Sequence, residues 1–112
     1  MRESDVIRLR HMLEAAEAAL AIARDKPRAA LLNDMTSTLA VMKALEIIGE
    51  AANKLSAELR SAEERIPWSD IIGMRNVLVH AYFDVDLRVV WDTVERDLPG
   101  MAEELRRLLS RE

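Results

Sequence analysis

The chain has 112 residues, a formal net charge of −4, 50% hydrophobic residues and no cysteine. The length predicts one domain over residues 1–112, and the composition excludes a disordered chain. The absence of cysteine excludes disulfides and thiolate metal sites. Aromatic residues are scarce at 4%, and glycine and proline number three each, so the composition favours long helices over strands.

Neither the N-terminal segment MRESDVIRLR nor any later stretch has an apolar run long enough for a secretion signal or a membrane span. We therefore expect a cytoplasmic protein. Proteins that bind nucleic acid usually carry a basic excess, so the acidic balance argues against a large RNA-binding surface. It leaves room for a small basic cleft, and it suits a chain whose lasting partner is another protein.

The first predicted helix runs from about Ser4 to Arg24. Ser4 or Asp5 is expected to be its N-cap, and Pro27 ends it because proline cannot continue a helix. Apolar residues at alternating spacings of three and four predict its buried face, which comprises Val6, Leu9, Leu13, Ala16, Leu20 and Ala23.

The second long helix is predicted to begin in short form near Pro27 and properly at Asn33 or Asp34. Gly49 lies in its middle, where glycine costs about 1 kcal/mol relative to alanine, so we expect another helix to approach closely there. The polar run at 61–65 is predicted to be a loop or a frayed helix end. The buried stripe of this helix comprises Val41, Leu45, Ile48, Ala52, Leu55 and Leu59.

A third helix is predicted to open at Pro67 and to break over residues 81–85. Asp84 or Asp86 then caps a fourth helix, and Pro99–Gly100 marks a kink or short turn before a final helical segment. These segments predict an all-α, up-and-down bundle of four to five helices. The apolar stripes are long for one bundle of this size, so some apolar surface is expected to remain for a dimer partner.

The chain has two histidines, and only His80 lies among other polar residues suited to catalysis. We interpret His11 as a plain surface or boundary residue. Arg75, Asn76 and Tyr82 lie within eight residues of sequence that include His80. On a continuous helix, Arg75 and His80 would point about 140° apart. They would converge only if the helix ended near residue 79 or if two copies met across a dimer axis, and we favour the dimer.

Spacing alone also allows a purely structural role for these residues. In that interpretation Arg75 pairs with Glu46 or Glu50, His80 caps the C-terminus of its helix, and Tyr82 belongs to the core.

The octet RNVLVHAY at residues 75–82 resembles the R-x4-H-x-Y motif of HEPN-domain toxins, in particular the HepT family. The resemblance covers nearly the whole chain, is densest from Ile47 to Pro99, and is specific in combination. It implies an HEPN-type helical bundle that acts as a homodimer. The other segments that carry it are IIGEAA (47–52), IPW (66–68), IIGMRN (71–76), YF (82–83), VW (90–91) and LP (98–99).

What the resemblance implies is a metal-independent RNA endonuclease with no cofactor, acting as the toxin of a toxin–antitoxin pair on tRNA or mRNA. Arg75 would bind the scissile phosphate, because its planar guanidinium matches phosphate oxygens. His80 would be the general base or acid. Asn76 and Glu50 would orient this pair. The expected products end in a 2′,3′-cyclic phosphate.

The resemblance assigns Tyr82 a separate role as the site of control. A nucleotidyltransferase antitoxin of the MntA type would attach AMP to this tyrosine. The added phosphate would place bulk and negative charge beside Arg75 and exclude RNA.

Two other classes of function stay open. One is a non-catalytic helical partner, or substrate-binding subunit, of a nucleotidyltransferase, which the acidic charge favours slightly. The other is a generic helical interaction protein, in which the motif is structural.

Overall fold

The computed structural model describes residues 1–81 and 84–112, and every regular element in those two ranges is helical. Three long helices, α1 (Glu3–Asp25), α3 (Met35–Lys54) and α5 (Trp68–His80), are joined through the short helices α2 (Arg28–Leu32) and α4 (Ala57–Ala62). A last rod comprises α6 (Leu87–Asp92), a π-helical turn over Thr93–Asp97, and α7 (Leu98–Leu109). The predicted all-α bundle is therefore confirmed, with four long rods.

One hydrophobic core joins these rods. Helix α1 packs along both α3 and α7, while α5 packs mainly against α3. Trp91 is completely buried between them, and Trp68 is buried at the start of α5. None of the described helices combines the length and the apolar character that crossing a bilayer requires.

The predicted starts of three helices are confirmed. The carboxylate of Asp34 accepts a hydrogen bond from the Ser37 amide at 3.2 Å and caps α3. Asp86 caps α6 by accepting from the Arg88 amide at 2.9 Å. Pro67 precedes α5, where its missing N–H leaves no helical hydrogen bond unmade.

The predicted cap of α1 is wrong. The N-cap is Arg2, without a side-chain hydrogen bond, and α1 begins at Glu3. Asp5 lies inside the first turn and is buried, and its carboxylate accepts hydrogen bonds from the Ser56 amide at 2.9 Å and the Ser56 hydroxyl at 2.6 Å. The Asp5 carboxylate therefore binds Ser56, 51 residues away, and does not cap its own helix.

One predicted continuity and one predicted interruption also differ from the structure. The stripe ending at Leu59 does not lie on one helix, because the chain breaks at Leu55 and Ser56 and Ser56 caps α4 by accepting from the Leu59 amide at 3.2 Å. The short turn, one of the two options predicted at Pro99–Gly100, is wrong, because Pro99 lies in the first turn of α7, directly after the π-helical turn. Proline cannot donate to the carbonyl four residues earlier, and the wider turn accommodates that missing bond.

Candidate active site

Helix α5 carries three of the five residues predicted to form the site, namely Arg75, Asn76 and His80. Leu78, on the side of this helix that faces α3, is buried, and Ile71 is partly buried against the core. The helix stays regular to its last residue, because the Ala81 amide donates to the carbonyl oxygen of Val77 at 2.8 Å. Tyr82, the predicted AMP acceptor, lies outside the described residues.

The guanidinium of Arg75 is held from two sides. Its Nε donates to Oε1 of Glu50 at 3.0 Å, and Nη2 donates to the same oxygen. Nη1 donates to Oδ1 of Asn76 at 2.9 Å. The side chain remains 22% exposed, so the guanidinium is fixed in position yet reachable from solvent.

Glu50 is a charged partner for this arginine. The hydrogen bond from Arg75 lowers the pKa of Glu50 below its usual value, against an opposing effect of partial desolvation. Glu50 is therefore a carboxylate at neutral pH, and its negative charge orients the guanidinium. Glu46, the other partner considered from the sequence, instead lies 3.5 Å from the ammonium of Lys43.

Gly49 explains how α5 comes close enough to α3 for this contact. A Cβ atom added at Gly49 would lie 2.1 Å from Cβ of Arg75 and 3.1 Å from the carbonyl oxygen of Ile71. No larger residue fits without moving one of the helices. The close helix approach expected from a mid-helix glycine is confirmed, and it occurs at the arginine of the motif.

His80 does not join Arg75 within one chain. Because α5 is continuous between them, their side chains point about 140° apart and their Cα positions differ by about 7.5 Å along the axis. His80 is exposed on the side of the helix that faces away from α3. The helix does end near residue 79, at His80, but this end does not turn the imidazole toward Arg75 within one chain.

The face of α5 that carries His80 is open to solvent. Gly73, Asn76, Val77 and His80 follow one another at helical spacing, and all four are exposed. The side chain of Val77 is 47% exposed. A Cβ atom added at Gly73 would meet nothing within 4 Å, so nothing inside the described chain requires a glycine there. We call these four residues the α5 outer face.

A groove of about 440 Å³ between α1 and α3 adjoins this site, and the sequence interpretation missed it. Glu50 lines the groove from α3, and His11, interpreted from the sequence as a plain surface or boundary residue, lines it from α1 together with Arg8. The sequence does contain a pattern that indicates this lining, because residues three or four apart share one face of a helix. The α1 residues that line the groove have this spacing: Ser4, Ile7, Arg8 and His11. We call this feature the α1–α3 groove.

Within residues 1–81 and 84–112, no group of three or more histidine, aspartate or glutamate side chains is arranged to hold a metal ion. At the motif, the structure brings together the guanidinium of Arg75, the carboxylate of Glu50 and the amide of Asn76. An imidazole lies on the neighbouring face of the same helix.

Comparison with known proteins identifies relatives over nearly the whole chain. Residues 12–108 match the family model described as Ribonuclease HepT-like. A Thermococcus cleftensis protein named probable ribonuclease HepT is 36% identical over 108 residues, which cover 96% of this chain and 98% of that protein.

Two further relatives carry names that mark them as candidate RNases. One, from Caldanaerobacter subterraneus, is 33% identical over 104 residues, 93% of each chain. The other, from Methanocaldococcus jannaschii, is also named a gamma-glutamylcyclotransferase, and it is 35% identical over 109 residues, 97% of this chain but 49% of that protein. No solved structure matches this chain. From the family match and these relatives, the chain belongs to the HepT-like ribonuclease family.

Proposed function

We propose that this chain is a metal-independent RNA endonuclease that works as a homodimer and is the toxin of a toxin–antitoxin pair. The observation that carries the proposal is the guanidinium of Arg75, held by Glu50 and still open to solvent, on the same helix as an exposed His80. Membership of a ribonuclease family supports RNA as the substrate class.

In the proposed reaction, Arg75 binds two oxygens of the scissile phosphate and offsets the charge that grows there. His80 accepts the proton of the adjacent ribose 2′-hydroxyl as the general base. The 2′-oxygen bonds to phosphorus while the bond to the 5′-oxygen breaks, and the imidazolium returns the proton to that leaving oxygen. The products are a 2′,3′-cyclic phosphate and a 5′-hydroxyl, and no metal takes part.

The separation of the two groups along α5 supports the proposed homodimer. One chain cannot bring Arg75 and His80 to one phosphate, whereas two antiparallel copies of α5 can place the arginine of one beside the histidine of the other. The α5 outer face suits such a contact, because Gly73 permits close approach of a second helix and Val77 offers apolar area. Each active site then combines Arg75 of one protomer with His80 of its partner.

We also propose that a nucleotidyltransferase antitoxin of the MntA type silences the enzyme by adding AMP to Tyr82. The support is the position of this tyrosine, two residues after His80 in the motif. A phosphate on it would compete with RNA for Arg75. Intact mass after incubation with such an enzyme and ATP should show added AMP, and Tyr82→Phe should abolish the addition.

The nuclease proposal is tested with purified protein in EDTA. We expect the wild type to cleave RNA, Arg75→Ala to lose about 100- to 1,000-fold of the rate, and His80→Ala about 100- to 10,000-fold. Arg24→Ala, at an exposed arginine near the end of α1, is the control and should cleave at the wild-type rate. Thermal melting shows whether each variant is folded. Cleavage at the wild-type rate by both motif variants would rule out the assigned roles.

The net charge of −4 favours a second candidate, a non-catalytic subunit that binds a nucleotidyltransferase and positions its substrate. This alternative expects a tight complex with that enzyme, no RNA cleavage under any condition, and no growth arrest when the chain is expressed alone. The nuclease toxin expects the opposite result in the last two assays.

A further inference from the structure

The chain is acidic overall, so RNA beside the cleavage site needs a local surface that carries positive charge. In the part of the chain that the structure describes, the α1–α3 groove has such a surface. We propose that this groove binds the nucleotide that flanks the scissile phosphate in a single-stranded RNA. The inference rests on the proposed nuclease function and adds a substrate-binding subsite to it.

The groove carries a positive surplus despite the acidic chain. Its acidic residues are both engaged, since Glu50 pairs with Arg75 and Glu46 lies 3.5 Å from the ammonium of Lys43. Arg8 and Lys54 also line the groove, and neither forms an ion pair with any residue that the structure describes. Two cations on facing helices are therefore available for the phosphates on either side of one nucleotide.

The rest of the groove suits a nucleobase. Ile7 from α1 and Ile47 from α3 are exposed large apolar residues, at 45% and 39%, and both line the groove. These aliphatic side chains offer apolar surface on which a base can pack, next to cationic side chains that can bind its phosphates. His11 adds an exposed ring to the same lining. A volume of about 440 Å³ lies in the range of small-ligand pockets and suits one nucleotide, not a duplex.

The groove adjoins the arginine that is proposed to bind the scissile phosphate. Glu50 lines the groove and also binds the guanidinium of Arg75, so a single carboxylate separates the two. An RNA strand whose scissile phosphate lies on Arg75 would enter the groove after passing the ion pair of Arg75 and Glu50. The subsite therefore requires a flexible single strand, such as an unpaired end or loop.

The test measures binding separately from cleavage. The probe is a short fluorescein-labelled oligouridine whose 2′-hydroxyls are methylated, so that it cannot be cut, and its anisotropy is followed over a range of salt concentrations. The double variant Arg8→Gln, Lys54→Gln should bind about tenfold more weakly, and the slope of log affinity against log salt should fall by about 1.4, or about 0.7 for each lost phosphate contact.

The matched control is Arg10→Gln, Arg24→Gln. These exposed arginines point away from Arg8 around α1, and their removal changes the net charge by the same amount. The control pair should bind the probe as the wild type does. Equal weakening by both pairs would mean diffuse electrostatic attraction and would overturn the proposal. Conversion of the groove variant to a monomer in sedimentation would also overturn it, because the groove would then be an interface between copies.

Cleavage kinetics separate this inference from the nuclease proposal. The groove variant should raise KM for a cleavable single strand about tenfold and leave kcat nearly unchanged. A groove variant with the wild-type KM would overturn the subsite and leave the nuclease intact. A wild-type protein that binds the probe in the groove but cuts no RNA would overturn the nuclease and leave the groove as a site that binds RNA without a role in cleavage.

Discussion

At the scale of single residues, Gly49 is the position on which the placement of the motif arginine depends most directly. Gly49→Ala would set its Cβ 2.1 Å from Cβ of Arg75, so α5 would have to move away from α3. We expect overpacking of this kind to lower the free energy of unfolding by about 1–3 kcal/mol and to loosen the contact between Arg75 and Glu50. Urea unfolding and the RNA cleavage rate should both report the change.

Gly100→Ala is the matched control for this variant. Its Cβ would meet nothing within 4 Å, and alanine favours a helix more than glycine does, so stability should be equal or slightly higher. A Gly49→Ala protein as stable and as active as the wild type would contradict the close helix contact.

Asp5 should make stability depend on pH. Burial raises the pKa of this carboxyl, but hydrogen bonds from the hydroxyl and amide of Ser56 outweigh it, so the pKa is lower in the folded protein than the ordinary 3.8. A lowered pKa means that Asp5 stabilises the fold fully above the ordinary value and that this contribution is lost as the pH falls through the folded pKa.

Asp5→Ala should therefore lower the free energy of unfolding by about 1–3 kcal/mol at neutral pH, by removing a buried charged acceptor. The difference from the wild type should shrink as the pH falls below about 4. Urea unfolding across this pH range is the measurement. Glu3→Ala, at an exposed carboxylate in the same turn, should change stability little at any pH. A difference for Asp5→Ala that stays constant down to acid pH would contradict the assignment.

What the sequence could reveal about single residues depended on distance along the chain. The caps Asp34 and Asp86 were predictable, because a cap binds an amide two or three residues away. The bond between Asp5 and Ser56 was not, since it joins residues 51 apart. The contact between Arg75 and Glu50 could be stated only as one of two options, and the three-dimensional crossing at Gly49 selected Glu50 over Glu46.

At the scale of elements, α5 has one face on α3 and the α5 outer face open. Val77→Lys tests whether a second copy covers that open face. In an isolated chain this change is at the surface and should leave the helix content and melting nearly unchanged. In a dimer it would bring two ammonium groups together at a desolvated contact, so we expect a folded monomer without RNase activity.

Val89→Lys is the matched control, because Val89 on α6 is exposed to the same degree, at 48% against 47% for Val77. It should sediment as a dimer and cleave RNA at the wild-type rate. If Val77→Lys and Val89→Lys sediment alike, the α5 outer face is not the dimer contact.

Periodicity predicted where the long helices lie, because each must bury an apolar stripe. It could not locate the break at Ser56, where the stripe continues across two helices, since Leu55 and Leu59 are both buried whichever helix carries them. It also could not show that Pro99 follows a π-helical turn, because the chain absorbs the missing hydrogen bond without changing its buried face. The spacing of apolar residues therefore predicts which side chains are buried, but it does not predict where one helix ends and the next begins.

At the scale of the whole molecule, a single protomer is incomplete as an enzyme if each active site spans two chains. Arg75 is held on one side of α5 and His80 points about 140° away, so each active site should take these residues from different chains. This arrangement can be tested by mixing two inactive proteins, Arg75→Ala and His80→Ala, after brief unfolding and refolding together.

In a mixed dimer, the Arg75→Ala chain still supplies His80 and the His80→Ala chain still supplies Arg75. If the residues act across the interface, one of the two sites in that dimer is complete and the other lacks both groups. Random mixing makes about half of the dimers heterodimers, so activity should recover to about one quarter of the wild-type value. If the residues act within one chain, no mixed dimer has a complete site and the mixture stays inactive. Refolding each variant alone is the control, and a mixture no more active than these would rule out the shared site.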